Sequence, residues 1–171
     1  MRIYVPATLD ELGSATVTAT GARWTVAPRD AHAVTGALTA ALPDEDVEGR
    51  EYAAFLAAAH DSLALVAARP DAPPVRVVVS LEVPDSAVSY GAVDAHDGDD
   101  AAPSAVRVVR ELTVPIVAVH VDEPEAADDV RAMLAAADDD PAFGDALQRI
   151  TDRDLLWYDA TEVHQIPRPR P

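Results

Sequence analysis

The sequence predicts an α/β (or α+β) fold: one domain in which a mixed β-sheet is packed with helices. Three observations carry this prediction. Between Val47 and Arg69 the side chains Tyr52, Phe55, Leu56, Ala59, Leu63 and Val66 recur at helical spacing. The run Val75–Val83 is a near-continuous block of β-branched and apolar residues, the pattern of a strand buried on both faces. Strand-like and helix-like segments alternate along 171 residues, a length that fits one domain burying roughly 70% of its unfolded surface.

The elements follow in order. Arg2–Val5 reads as a short strand stopped by Pro6, after which Thr8 or Asp10 caps a short helix. In Ala15–Ala27, threonines alternate with apolar residues and Gly21 precedes Trp24 and Val26, which suggests a hairpin. Ala31–Thr35 reads as a strand leading into a short helix that ends at Pro43. The long helix takes its cap from Asp44 or Asp46 and stops at Pro70. Full burial of each large side chain on its stripe contributes about 1.5–3 kcal/mol. The expectation is therefore that Phe55→Asp or Leu56→Asp unfolds the protein.

In Val75–Val83 the side chains of Val77, Val79, Leu81 and Val83 point one way; Arg76, Val78, Ser80 and Glu82 point the other. Pro84 and Asp85 end this strand, and the polar stretch Asp94–Ser104 (DAHDGDDAAPS) reads as a flexible acidic loop. Val106–Val109 and Ile116–Val121 are two further strands. Pro124 opens a helix with Ala126, Val130, Met133, Leu134 and Ala137 on its apolar stripe. Asp140 and Pro141 begin another, whose buried face is Phe143, Ala146, Leu147 and Ile150. Leu155–Tyr158 (LLWY) is a last strand or buried segment, with Trp157 and Tyr158 read as core. The final five residues, 167–171 (PRPRP), cannot form a ladder and read as a disordered tail, so the domain is expected to span 1–166.

Composition narrows the partners. The chain has 30 acidic against 13 basic residues, a net charge of -17 and no cysteine. Without cysteine there are no disulfides, thiolate nucleophiles or iron–sulfur ligands. All the basic residues are arginine, and neither lysine nor asparagine occurs. Direct nucleic-acid binding needs a basic face, and an anionic membrane surface repels such a chain, so neither partner is expected. The acidity fits either a surface for basic partners or the coding bias of a GC-rich genome, and the second is favoured. Met1–Leu9 lacks the apolar core of a signal peptide, and Ala53–Ala68 is interrupted by His60, Asp61 and Ser62. A cytoplasmic location is expected.

Several segments carry a resemblance: MRIYVPAT at the start, AVT at Ala33–Thr35, EYAAFLAAAHDSL in the long helix, RVVVSLEVPDSAV, VHVDEPEA and LLWYD. Together they resemble a small family of uncharacterised actinobacterial proteins, a domain of unknown function found as a stand-alone chain. The resemblance spans nearly the whole chain and implies a cytosolic protein of a GC-rich bacterium. It also implies a helical stretch after Thr8, from which the Thr-rich run departs. It implies no catalytic residue.

Few residues offer chemistry. His120 and Asp122 lie two apart at a strand end, with Glu123 and Glu125 following, a pattern that can hold a divalent cation. The favoured reading is that Asp122 or Glu123 caps the helix at Pro124 and that His120 is a partly buried histidine beside Ile116 and Ala118. Asp138, Asp139 and Asp140 lack the spacing of a calcium loop, and Asp97, Asp99 and Asp100 read as loop solvation. His60, Asp61 and Ser62 are consecutive on a helix and project in different directions, so they cannot relay a proton among themselves. Arg107 and Arg110 would form an anion site with Arg76 if their strands were neighbours; surface ion pairs are favoured.

The favoured function is that of a non-enzymatic interaction or accessory protein with no cofactor, its binding surface for a protein partner on helices or a sheet edge; homodimerisation through the aromatic C-terminal segment is a separate structural possibility. Two alternatives stand beside it: a metal-dependent hydrolase centred on His120 and Asp122, with Glu123 as a further metal candidate, and an acidic nucleic-acid mimic that binds a basic protein.

Overall fold

The structure is a computed structural model that describes residues 1–90, 102–137 and 140–169. In chain order the elements are β1 (Arg2–Ala7), β2 (Thr16–Thr18), β3 (Gly21–Val26), β4 (Arg29–His32), α1 (Gly36–Ala41) and α2 (Val47–Ala67). They continue with β5 (Val77–Glu82), β6 (Val88–Tyr90), β7 (Ala105–Val108), β8 (Leu112–Val121), α3 (Ala126–Ala135), α4 (Pro141–Thr151) and β9 (Leu156–Asp159). Short 3-10 turns lie at Glu11–Ser14, Asp85–Ala87 and Ala160–Gln165. The nine strands form one sheet in the order β2-β3-β8-β5-β1-β4-β7-β6, with β9 added to β8. The pairings are antiparallel. A sheet packed with helices is the expected class.

The sheet has to curl. Only Ala27 and Pro28 join β3 to β4, a link that spans about 10 Å between flanking Cα atoms. In the sheet these strands are separated by β8, β5 and β1, which on a flat surface would place them about 19 Å apart. Curling brings Trp24, Val26, Val106 and Val108 into one interior with Ile3, Val5, Val79, Leu81 and Val119. At the corner, Arg29 pairs with Glu11 at 3.0 Å and lies over the Trp24 ring. Burial alone would raise the Glu11 pKa, but the Thr8 N–H and the Arg29 and Arg69 guanidiniums together hold it below the usual carboxylate value.

β5 is buried on both faces, as its valine run predicts. Its odd residues face the curled interior, while Val78 meets Tyr4 under α2. α3 and α4 pack on the C-terminal half of α2 through Val130, Met133, Ala146 and Ile150 against Leu63 and Val66. The predicted hairpin is present as β2 and β3, turned at Gly21 with φ +155°, a conformation that favours a residue without a side chain.

Three expectations need correction. β1 does not stop at Pro6 but runs through it to Ala7. β4 pairs with β1 only at Tyr4–His32, so the ladder beside Pro6 is already open and tolerates the missing N–H. The buried face of α2 is also rotated from the expected stripe. Ala54, Ala58, Ala59, Ser62, Leu63 and Val66 are buried, whereas Tyr52 and Leu56 are exposed. Close approach decides this: Ser62 Oγ donates to the Ala7 carbonyl and accepts the Val77 N–H, both at 2.8 Å. Bulky side chains on that face would hold the helix too far from the sheet. Finally, the strand in LLWY begins at Leu156, one residue later than expected, and Leu156 and Trp157 are exposed rather than core. The expected acidic loop falls outside the described residues except for its last three positions, as do Asp138, Asp139 and the end of the tail.

These positions separate by mutation. Ala58 is fully buried against the sheet, so Ala58→Met is expected to lose about 1–3 kcal/mol through overpacking. Leu56→Asp is expected to stay folded and lose less than about 1 kcal/mol, as surface changes do. Equilibrium urea unfolding of both variants checks the rotated face.

Candidate functional site

Because α2 presents its small residues to the sheet, its N-terminal half sends the large ones sideways. Tyr52, Phe55 and Leu56 form one wall of a cleft of about 530 Å³. Thr151 at the end of α4, with Arg153, Asp154, Leu155 and Trp157 leading into β9, forms the opposite wall. The floor is the sheet itself: Tyr4 of β1, Arg76 and Ser80 at β5, and Ala118 and His120 of β8. The even residues of these strands share that face, which is how the register brings them together.

Arg76 is the most constrained group in the cleft. It is 4% exposed and its partner Asp122 is 2% exposed. Arg76 Nη2 donates to Asp122 Oδ1 at 2.7 Å, and Nε donates to both carboxylate oxygens at 3.2 and 3.0 Å. Asp122 Oδ2 also accepts the Arg76 backbone N–H at 2.8 Å, and Nη2 reaches the Arg153 carbonyl at 3.0 Å. No hydrogen bond among the described residues uses Arg76 Nη1. A bidentate pair of this kind is strong and directional.

His120 sits in an aromatic setting. Its ring meets Phe55 edge-on at 4.8 Å, Phe55 stacks on Tyr52 at 6.0 Å, and Phe55 meets Tyr4 edge-on at 6.2 Å. His120 Nδ1 is buried with no partner among the described residues, and so is Arg153 Nε. Burial lowers the His120 pKa below the usual imidazole value, partly offset by the neighbouring Val78 backbone. Tyr4 is pushed up to about 12, chiefly by burial and then by the Glu51 carboxylate.

The expected metal candidates are not brought together. His120 lines the cleft, Asp122 is held by Arg76, and Glu123 pairs with Arg153. Among the described residues no three His, Asp or Glu side chains are grouped to hold an ion. Neither Asp122 nor Glu123 provides the expected cap: no side-chain cap bond is made at the start of α3, whereas Asp140 caps α4 through the Ala142 N–H at 2.9 Å. Arg107 cannot join Arg76, because β1 and β4 lie between β5 and β7; it pairs with Asp30 at 2.8 Å.

The helical His60-Asp61-Ser62 run divides among three surroundings. Ser62 ties α2 to β1 and β5, and His60 is exposed beside the α2–α3–α4 groove. Asp61 Oδ2 meets His32 Nε2 at 3.0 Å, and His32 Nδ1 meets Ser104 Oγ at 2.8 Å. This serine–histidine–aspartate chain was invisible in the sequence, since its members lie on β4, α2 and the approach to β7. Ser104 is 2% exposed while the Asp61 side chain is 46% exposed. A hydrolytic triad needs the reverse order, with its hydroxyl open to substrate. The chain therefore serves to fasten α2 to the sheet.

Sequence reasoning also missed Tyr52, Phe55, Leu56 and Arg153 as cleft residues. The available signal lay in α2, where alanines offset from the large apolar side chains mark a second face. Against known families, residues 1–166 match the model of a family of unknown function (DUF6912), and the chain belongs to that family. No curated protein and no solved structure matches the chain.

Two measurements bear on the site. A half-buried histidine with a lowered pKa takes up its proton less readily in the folded state than in the unfolded chain, where it does so below about 6.5. Stability is thus expected to fall as pH drops below that value, and to fall less in His120→Gln; thermal melts at stepped pH compare them. Millimolar Mg²⁺, Mn²⁺ or Zn²⁺ is expected to leave the melting temperature unmoved, since an ion bound to the native state would raise it.

Proposed function

We propose that this family member is a non-enzymatic, cytoplasmic binding protein whose cleft between α2, α4 and β9 receives the apolar body of a small-molecule ligand. One observation carries the reading: three large apolar side chains left exposed by the fold converge on one hollow. Tyr52 is 55%, Leu56 44% and Trp157 59% exposed, and all three line it. A preformed, largely apolar hollow of this size with a few polar groups at its base is how proteins hold small ligands.

The polar groups that hydrolysis would draw on are engaged elsewhere. Asp122 is held by Arg76, and His32 lies between Ser104 and Asp61. Among the described residues no helix is long and apolar enough to cross a membrane. The acidic, cysteine- and lysine-free composition fits the coding bias of an actinobacterial genome, and a net charge of -17 disfavours nucleic acid as a partner.

The test uses a neutral apolar dye, N-phenyl-1-naphthylamine, whose emission rises in apolar surroundings. Saturable binding is expected, weakened about tenfold in Leu56→Ser and in Trp157→Ala, as loss of one apolar contact surface implies. Absence of saturable binding, or unchanged affinity in both variants, contradicts the reading.

A further inference from the structure

We propose that the ligand carries a carboxylate, seated at the deep end of the cleft against Arg76, Arg153 and His120. This rests on the cleft being a ligand site. The donors at the base are incompletely used. Arg76 has a side chain 5% exposed, yet no hydrogen bond among the described residues uses its Nη1. Arg153 Nε and His120 Nδ1 are both buried without partners among the described residues, and both residues line the same hollow. Buried donors left unbonded are uncommon and destabilising, because each has given up water for nothing. Arg153 Nε and, in the tautomer that protonates it, His120 Nδ1 are two such donors; beside the unused Nη1 of Arg76 they match an acceptor group that arrives with the ligand.

The acceptor is anionic, and it carries a single charge. Guanidinium groups favour carboxylate oxygens through charge-assisted hydrogen bonds, and a dry floor strengthens them. Arg153 already pairs through its Nη atoms with Glu123 and with Asp129, at 3.0 Å for the second, which leaves its Nε, and Asp122 is held by Arg76. Glu51 faces Arg2 and Tyr4, while Glu48 and Asp154 are exposed. Those carboxylates, within a chain of net charge -17, oppose a dianion more than a monoanion. The fit is a monocarboxylic acid: the apolar body lies between Phe55 and Trp157, and the carboxylate points to the sheet.

Isothermal titration compares 4-phenylbutyrate with its uncharged primary amide, 4-phenylbutyramide, on the intact protein. The acid is expected to bind at least about tenfold more tightly, as charged against neutral hydrogen bonds imply. The preference for the acid over the amide is expected to persist as salt is raised, since a buried pair is screened little. In Arg153→Gln the acid is expected to lose more affinity than the amide, so that the difference between them shrinks. Equal affinities, or an acid that fails to bind while the neutral dye still does, overturn the carboxylate assignment and leave the cleft reading standing. Failure of dye, acid and amide together removes the cleft reading and this inference with it. The acid–amide comparison, with and without added salt, needs no variant, so a misfolded Arg153→Gln does not protect the proposal.

Discussion

The buried ion pair between Arg76 and Asp122 sets the frame for the cleft. It clamps the entry of β5 to the exit of β8, reinforced by Asp122 N–H donating to the Arg76 carbonyl at 3.1 Å. Through the Arg153 carbonyl the same guanidinium reaches the segment that leads from α4 into β9. Three elements of the cleft thus meet at one side chain. Such pairs contribute little net stability, because removing two charges from water roughly offsets their attraction. Breaking one partner away is another matter, since it strands a charge in the interior. The pair is therefore better understood as a device of position: it orients a guanidinium and holds the floor still.

The second constraint is the close seating of α2. Ser62 bonds two strands at once, and only small neighbours allow that approach. Burying Ala54, Ala58 and Ala59 at the interface leaves Tyr52, Phe55 and Leu56 at the side of the helix. Packing and function are thus joined in one choice of face. The alanines bring the helix down, and the displaced aromatic side chains become the wall of the hollow.

Much of the fold was legible in the sequence. The valine block of β5, the hairpin around Gly21, and the caps at Asp46 and Asp140 follow from local rules that the surroundings do not override. Where local rules failed, a tertiary partner had intervened. The α2 stripe has the right period but the wrong face, because the largest apolar residues are buried only when nothing requires close contact. β6 has three residues and exists through pairing with β7 rather than through its own composition. Trp157 is apolar and strand-bound, yet β9 is added beside β8 where one side stays open to solvent. For the site, His120 stood out as a residue at a strand end, but its setting did not. Its neighbour Asp122 is claimed by an arginine 46 positions earlier, a pairing no local pattern encodes.

A double-mutant cycle on the ion pair tests the foundation most directly, with the unfolding free energies of Arg76→Met, Asp122→Leu and the combined variant measured in denaturant. Each single change is predicted to lose about 3–5 kcal/mol by leaving a buried charge alone, and the combined variant to lose far less than the sum of the two. Additive losses would mean that the two side chains do not depend on each other, and would contradict the account.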